Sequence, residues 1–137
     1  MADTIRTAQY FKLAVPDKPG ECTRTLGMLR DAGVNLLAFS GFPRSRRAQL
    51  DLVPTDPVAF KAAAKQDKLK AEGPKTCFLV EGDDRQGAGA ELTARLAEAK
   101  INITALQAVA AGLGRFGAIF WVKPRDVRKA AKALGIG

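Results

Sequence analysis

The side chains that usually carry acid–base and metal chemistry are scarce in this sequence. Its 137 residues contain no histidine, which removes the usual general base and the commonest metal ligand. Cys22 and Cys77 are the only cysteines and form no Cys-x-x-Cys pair, so neither a structural zinc nor a disulfide framework is indicated. Both read as small core residues. Cys22 falls where the first turn of a helix would lower a thiol pKa, but the chain offers no histidine to act as its base. Gly112, Gly114 and Gly117 lead into a strand rather than a helix, so they describe a hairpin turn and not a phosphate loop. What remains is recognition chemistry. The sequence indicates no catalytic residue, no cofactor and no metal.

The net charge of +8 invites a nucleic-acid reading, but its distribution weakens it. Lys61, Lys65 and Lys68 recur at helical spacing, as do Arg125, Arg128 or Lys129, and Lys132. Each set describes one solvated helix face. A hydrophobic share of 47% beside 26% charged residues is that of an ordinary globular protein. No apolar run is long enough to serve as a signal sequence or a membrane span, and the expectation is a cytoplasmic protein.

The elements that must position any site come in duplicate. The stretch from Tyr10 overlays the stretch from Cys77 at an offset of 67 residues, with no gap to the end of the chain. Asp17 falls on Asp84, Gly20 on Gly87, Asn35 on Asn102 and Pro57 on Pro124. A repeat of this period implies two small units of similar plan. In the first copy Phe11, Leu13 and Val15 alternate as in a half-buried strand that stops at Pro16. Asp17-Lys18-Pro19-Gly20-Glu21 is turn chemistry, and a helix with an apolar stripe at Cys22, Leu26 and Leu29 follows, closed by Gly33. Asn35 to Phe42 reads as a second strand, and Pro43-Arg44-Ser45-Arg46-Arg47 as the basic tip of a hairpin leading to Leu50, Leu52 and Val53. Asp56-Pro57 opens a second helix, and a short strand around Leu69 would close the unit. The order strand, helix, strand, strand, helix, strand is the ferredoxin-like plan.

The Asp17-Lys18-Pro19-Gly20 loop, the helix through Leu26 and Leu29, and Gly33-Val34-Asn35 give the chain a resemblance to the ACT domain, a small regulatory module of amino-acid metabolism. The resemblance covers nearly the whole chain as two tandem copies. It implies a small amino acid or similar metabolite bound at an interface between two ACT units and sensed allosterically. Carried over by position, it nominates Asp17, Lys18, Pro19, Gly20 and Glu21 in the loop, with Asn35 and Leu36 at the following strand. The second copy retains Asp84, Gly87 and Asn102, but Gln86 replaces the proline and Lys100 the glycine, so the first loop is expected to be the better formed. A helix N-terminus suits a carboxylate, and an Asp or Asn side chain can receive an ammonium group.

The fold class is therefore α+β: two tandem ferredoxin-like βαββαβ units, residues 1–74 and 75–137, with antiparallel sheets, the second lacking most of its last strand. A free-standing pair of this kind would act on a partner enzyme, for example as the regulatory subunit of an amino-acid biosynthetic enzyme, or form a homodimer that completes the sites. The alternative is an RNA-binding module of the same topology. It draws on Gly114-Arg115-Phe116-Gly117-Ala118-Ile119-Phe120-Trp121, which loosely resembles the aromatic strand of the RNA-recognition motif.

Overall fold

Alternation at Phe11, Leu13 and Val15 does produce a strand, and the computed structural model, which describes residues 3–136, extends it to β1, Thr4–Pro16. After it come α1 (Glu21–Asp31), β2 (Leu36–Arg44), β3 (Arg47–Pro54), α2 (Pro57–Gln66), β4 (Glu72–Asp83) and α3 (Ala88–Glu98). Then follow β5 (Ile103–Gly112), β6 (Arg115–Val122), a single 3-10 turn (Pro124–Asp126) and α4 (Val127–Ala133). The protein is α+β, with antiparallel strand pairs and helices between them. Among the described residues no helix is long and apolar enough to cross a membrane.

Packing divides the described residues into two compact units. One is Gln9–Lys75, and the other joins residues 3–8 to residues 76–136. In the first, β3 lies between β2 and β1, with Phe11 and Phe39 both opposite Leu52. Directly opposed residues share a face, so Phe11, Leu13, Leu50 and Leu52 form one apolar surface. Leu29 of α1 and Phe60, Ala63 and Ala64 of α2 cover it, with the Phe11 and Phe60 rings stacked at 4.4 Å. Asp56 begins α2 as its spacing predicts: its carboxylate accepts from the amides of Val58 (3.0 Å) and Ala59 (3.3 Å).

Two sequence expectations need correction in this unit. Leu69 is not in a strand; its amide closes the end of α2 on the Ala64 carbonyl at 2.8 Å, and the closing strand is the start of β4, where Gly73 lies against the Tyr10 carbonyl. Cys22 is exposed, because the buried face of α1 runs through Thr25 and Leu29 rather than through the first turn. Cys77 is buried as expected.

In the other unit β6 lies between β4 and β5, with Phe78 and Leu106 both opposite Phe120. Leu92 and Leu96 of α3 and Ala130, Ala131 and Leu134 of the C-terminal helix complete its core around the stacked Phe78 and Phe120 rings, 4.8 Å apart. No strand follows α4 among the described residues. Residues 4–8 stand beside β4 instead, with Ile5 half-buried against the core and the Asp3 carboxylate against Gly82.

The ungapped offset also needs correction. Both hairpins turn on two residues of positive φ, Ser45–Arg46 (φ 50° and 67°) and Leu113–Gly114 (φ 56° and 69°). In β5, however, Ala111 is bulged out between the pairs Ala110–Phe116 and Gly112–Arg115. That extra residue advances β6 by one position, so Ala118 corresponds to Leu50 and Phe116 to Ala48 in register, not to Asp51 and Gln49. The connection before the last helix is one residue shorter and restores the offset: the Ile136 amide bonds the Ala131 carbonyl as Leu69 bonds Ala64.

Candidate functional site

Both strand-to-helix loops are built alike. Asp17–Gly20 joins β1 to α1 and Asp84–Gly87 joins β4 to α3. Gly20 (φ 91°) and Gly87 (φ 80°) sit in the left-handed region that glycine enters without strain. Neither helix has a side-chain cap; the Glu21 and Ala88 amides bond back to the Lys18 and Arg85 carbonyls at 3.4 Å, and the next two amides of each first turn keep their capacity for an external acceptor. Asp17, Lys18, Pro19 and Gly20 are exposed, and Glu21 is half-buried and paired with Arg24 at 3.1 Å.

The asparagines lie elsewhere. Asn35 precedes β2, where its amide nitrogen donates to the Thr55 hydroxyl at 3.0 Å and its carbonyl accepts from the Thr55 amide at 2.9 Å. Leu36 next to it pairs with Pro54, whereas the loop follows Pro16, which pairs with Arg47 at the far end of β3. Seven residue steps along β3, from Arg47 to Pro54, separate the two levels, roughly 23 Å at 3.3 Å per residue. Asn102 precedes β5 in the same way, while Asp83 and the Asp84 loop stand at the level of Arg115, at the other end of β6. Within one unit the loop and its asparagine do not meet.

A cavity lies beside the second loop. It has a volume of about 260 Å³ and is bounded by the Asp84–Gly87 loop, the first turn of α3, and Leu106, Ala108, Phe116 and Ala118 on the strands. Its walls are apolar and its polar groups cluster at one end, as in sites for small ligands. The space exists because the residues are small. Gly89, Ala108 and Ala118 line it, whereas the other unit places Leu50 opposite Gly41, with its side chain against that glycine.

Arg85 shapes the polar end. Its guanidinium donates to both Asp3 carboxylate oxygens (3.0 and 3.3 Å), to Glu91 (2.7 Å) and to the Asp83 carbonyl (3.0 Å). The Asp3 and Glu91 hydrogen bonds raise its pKa further above the ordinary arginine value. Arg85 is thus tethered at the rim, while its counterpart Lys18 has no carboxylate partner among the described residues. Sequence reasoning passed over Asp3, Ala108 and Ala118. Nothing local marks the early start of β1, since Thr4 to Tyr10 does not alternate strictly, and nothing local marks the alanines.

The aromatic strand does not form a stacking platform. Phe120 and Trp121 are buried, and Phe116 is half-buried against the core. Base stacking needs exposed rings, so the geometry does not favour single-stranded RNA there.

Three solved structures illustrate what the chain is similar to. A protein from Bacteroides thetaiotaomicron superposes with a TM-score of 0.81 at 17% identity, covering 95% of this chain and 88% of that one. The regulatory subunit of aspartate kinase from Thermus thermophilus, in its ligand-free form, gives 0.63 at 16% identity over 96% and 93%. The fold is that of aspartate kinase regulatory subunits. E. coli aspartokinase III, in complex with aspartate and ADP, gives 0.56 at 14% identity, covering 97% of this chain and 32% of that one. No family model matches the chain and no curated protein sequence does. At these identities the likeness speaks for the fold, and at that level it bears out the ACT resemblance read in the sequence.

Proposed function

We propose that the protein is a non-catalytic, ACT-like regulatory protein that binds a small amino acid in the cleft beside Asp84–Gly87 and signals its presence to a partner enzyme. Its tandem ACT-like units follow the ferredoxin-like plan, the second completed by residues 4–8 in place of a strand after α4. The ligand carboxylate faces the uncapped first turn of α3, its side chain the alanine-lined wall. The cleft volume of about 260 Å³ suits a modest side chain.

The observation that carries this reading is the edge on which the cleft opens. Residues Ile103–Gly112 of β5 carry no charge, and those from Thr104 to Gly112 are all exposed. Long uncharged edge strands are uncommon in monomers, because they invite pairing. Antiparallel pairing of β5 with β5 of a second copy sets the start of one strand beside the end of the other. That brings Asn102 of the partner subunit to the Asp84 loop, which its own unit keeps away from it. A homodimer therefore completes the site, with an ammonium group between Asp84 and the second copy's asparagine. The exposed loop Asp17–Glu21, with Asn35 and Leu36, forms the lesser site by the same logic at β2.

A thermal-shift screen of the natural amino acids, run with light scattering on the same samples, tests the proposal. One small amino acid should raise the melting temperature of a dimer. Ala105→Lys, which places a charge on an exposed position of β5 outside the cleft lining, should yield a monomer that no longer responds. A monomeric variant that binds with unchanged affinity would rule out the shared site.

A further inference from the structure

The tip of the β2–β3 hairpin, which plays no part in the cleft, combines several unfavourable choices. Arg44 and Arg47 form the last directly opposed pair of the ladder, and like charges opposite one another destabilise a sheet. The two residues between them, Ser45 and Arg46, hold positive φ without being glycine or asparagine. Neither arginine has a carboxylate partner among the described residues: Arg44 donates to the Gln49 side chain at 2.9 Å and Arg47 to the Ala14 carbonyl at 3.3 Å. Each guanidinium has five N–H groups, so most of its donors remain unused.

These arginines line a cavity of about 350 Å³ together with Lys12 and Lys70, and Glu72 is the one acidic residue in its wall. The position of Arg44 is built rather than accidental. Gln49 accepts from Arg44 through its oxygen because its nitrogen donates to Asp51 at 2.8 Å, and Asp51 is only 7% exposed. A buried carboxylate thus fixes the amide, and the amide fixes the arginine. Four cations facing one carboxylate across an open cavity are the electrostatic complement of a ligand with at least two negative charges.

We infer that the cavity between Lys12, Arg44, Arg47 and Lys70 binds a small phosphorylated molecule, with a phosphoryl group held between the two guanidiniums. Planar guanidinium groups match phosphate oxygens in a bidentate manner, and the lysines supply the remaining charge. The cavity lies within Gln9–Lys75 and shares no residue with the amino-acid cleft.

Isothermal titration of the full chain with inorganic pyrophosphate tests the inference. Binding is expected at one site per chain, with Arg44→Gln and Arg47→Gln each weakening it at least tenfold. Lys61→Gln/Lys65→Gln, which removes equal or greater charge from an exposed face of α2, should leave the affinity within twofold. Ala118→Leu should also leave it unchanged, which separates this site from the proposed amino-acid cleft. Relieving the opposed pair should leave the arginine variants as thermostable as the wild type or more so. No titration at low salt, an equal loss in the α2 variant, or binding of a short RNA without binding of pyrophosphate would each overturn the inference.

Discussion

Ala118→Leu carries the cleft hypothesis to a number. The substitution gives β6 the residue that its register partner on β3, Leu50, already has. In that unit the leucine packs over Gly41, and an alanine built at that glycine would come within 3.1 Å of it. At Ala118 the added carbons enter the cleft between Ala108 and the first turn of α3. Burying them contributes about 0.8 kcal/mol per methylene, and misfit costs about 1–3 kcal/mol, so the unliganded protein should change by less than about 2 kcal/mol in either direction. The effect on the ligand is larger. At 100 times its dissociation constant a ligand adds about 2.7 kcal/mol. With an unfolding entropy of about 2.1 cal/mol/K per residue, that is roughly a 9 °C rise for a chain of this length. A hundredfold loss of affinity leaves about 0.4 kcal/mol, a shift of roughly 1.5 °C. Differential scanning fluorimetry across the amino-acid panel resolves the two. A variant with an intact melting temperature and the full ligand shift would show that the ligand sits elsewhere.

Three further outcomes follow from particular residues. The Thr25 hydroxyl is fully buried and finds no partner among the described residues, so Thr25→Val should stabilise the protein by about 1 kcal/mol in urea unfolding. Gly87→Ala meets open space but must keep φ at 80°, and should cost about 1–2 kcal/mol of backbone strain with no change in the unfolding slope. Burial raises the Asp51 carboxyl above its ordinary value of 3.8, with the Gln49 hydrogen bond acting the other way. A raised carboxyl pKa means the folded protein holds the proton more firmly, so the ionised form costs stability at neutral pH and the cost fades as pH falls toward 3.8. Asp51→Asn should therefore be more stable than the wild type at pH 7 and lose that advantage in acid, as measured by urea midpoints.

Much of this architecture could be read from local patterns because local chemistry determines it. Asp56-Pro57 caps a helix wherever it falls, and Gly33 takes the left-handed position that ends α1, with φ at 77°. What escaped was non-local. The residue inserted at Ala111 is invisible in an ungapped overlay, because only the ladder with β6 shows which residues face one another. The strand flanking β4 comes from residues 4–8, distant in sequence from the unit they complete, and no pattern within that unit announces it. The loops were legible as loops. The difference read between them, Gln86 and Lys100 in place of Pro19 and Gly33, favoured the first loop and does not report the space beside Asp84, which depends on Ala108 and Ala118 being small; alanines on a strand carry no signal of their own.

Backbone chemical-shift mapping by heteronuclear NMR is the most direct test of the central claim. On titration with the amino acid found in the thermal screen, the amides of Gly89 and Ala90 in the first turn of α3 should move most, with Ala108, Ala118 and Asn102. Movement confined to Cys22 and Thr23, or to the hairpin tip around Arg46, would contradict a cleft at Asp84–Gly87.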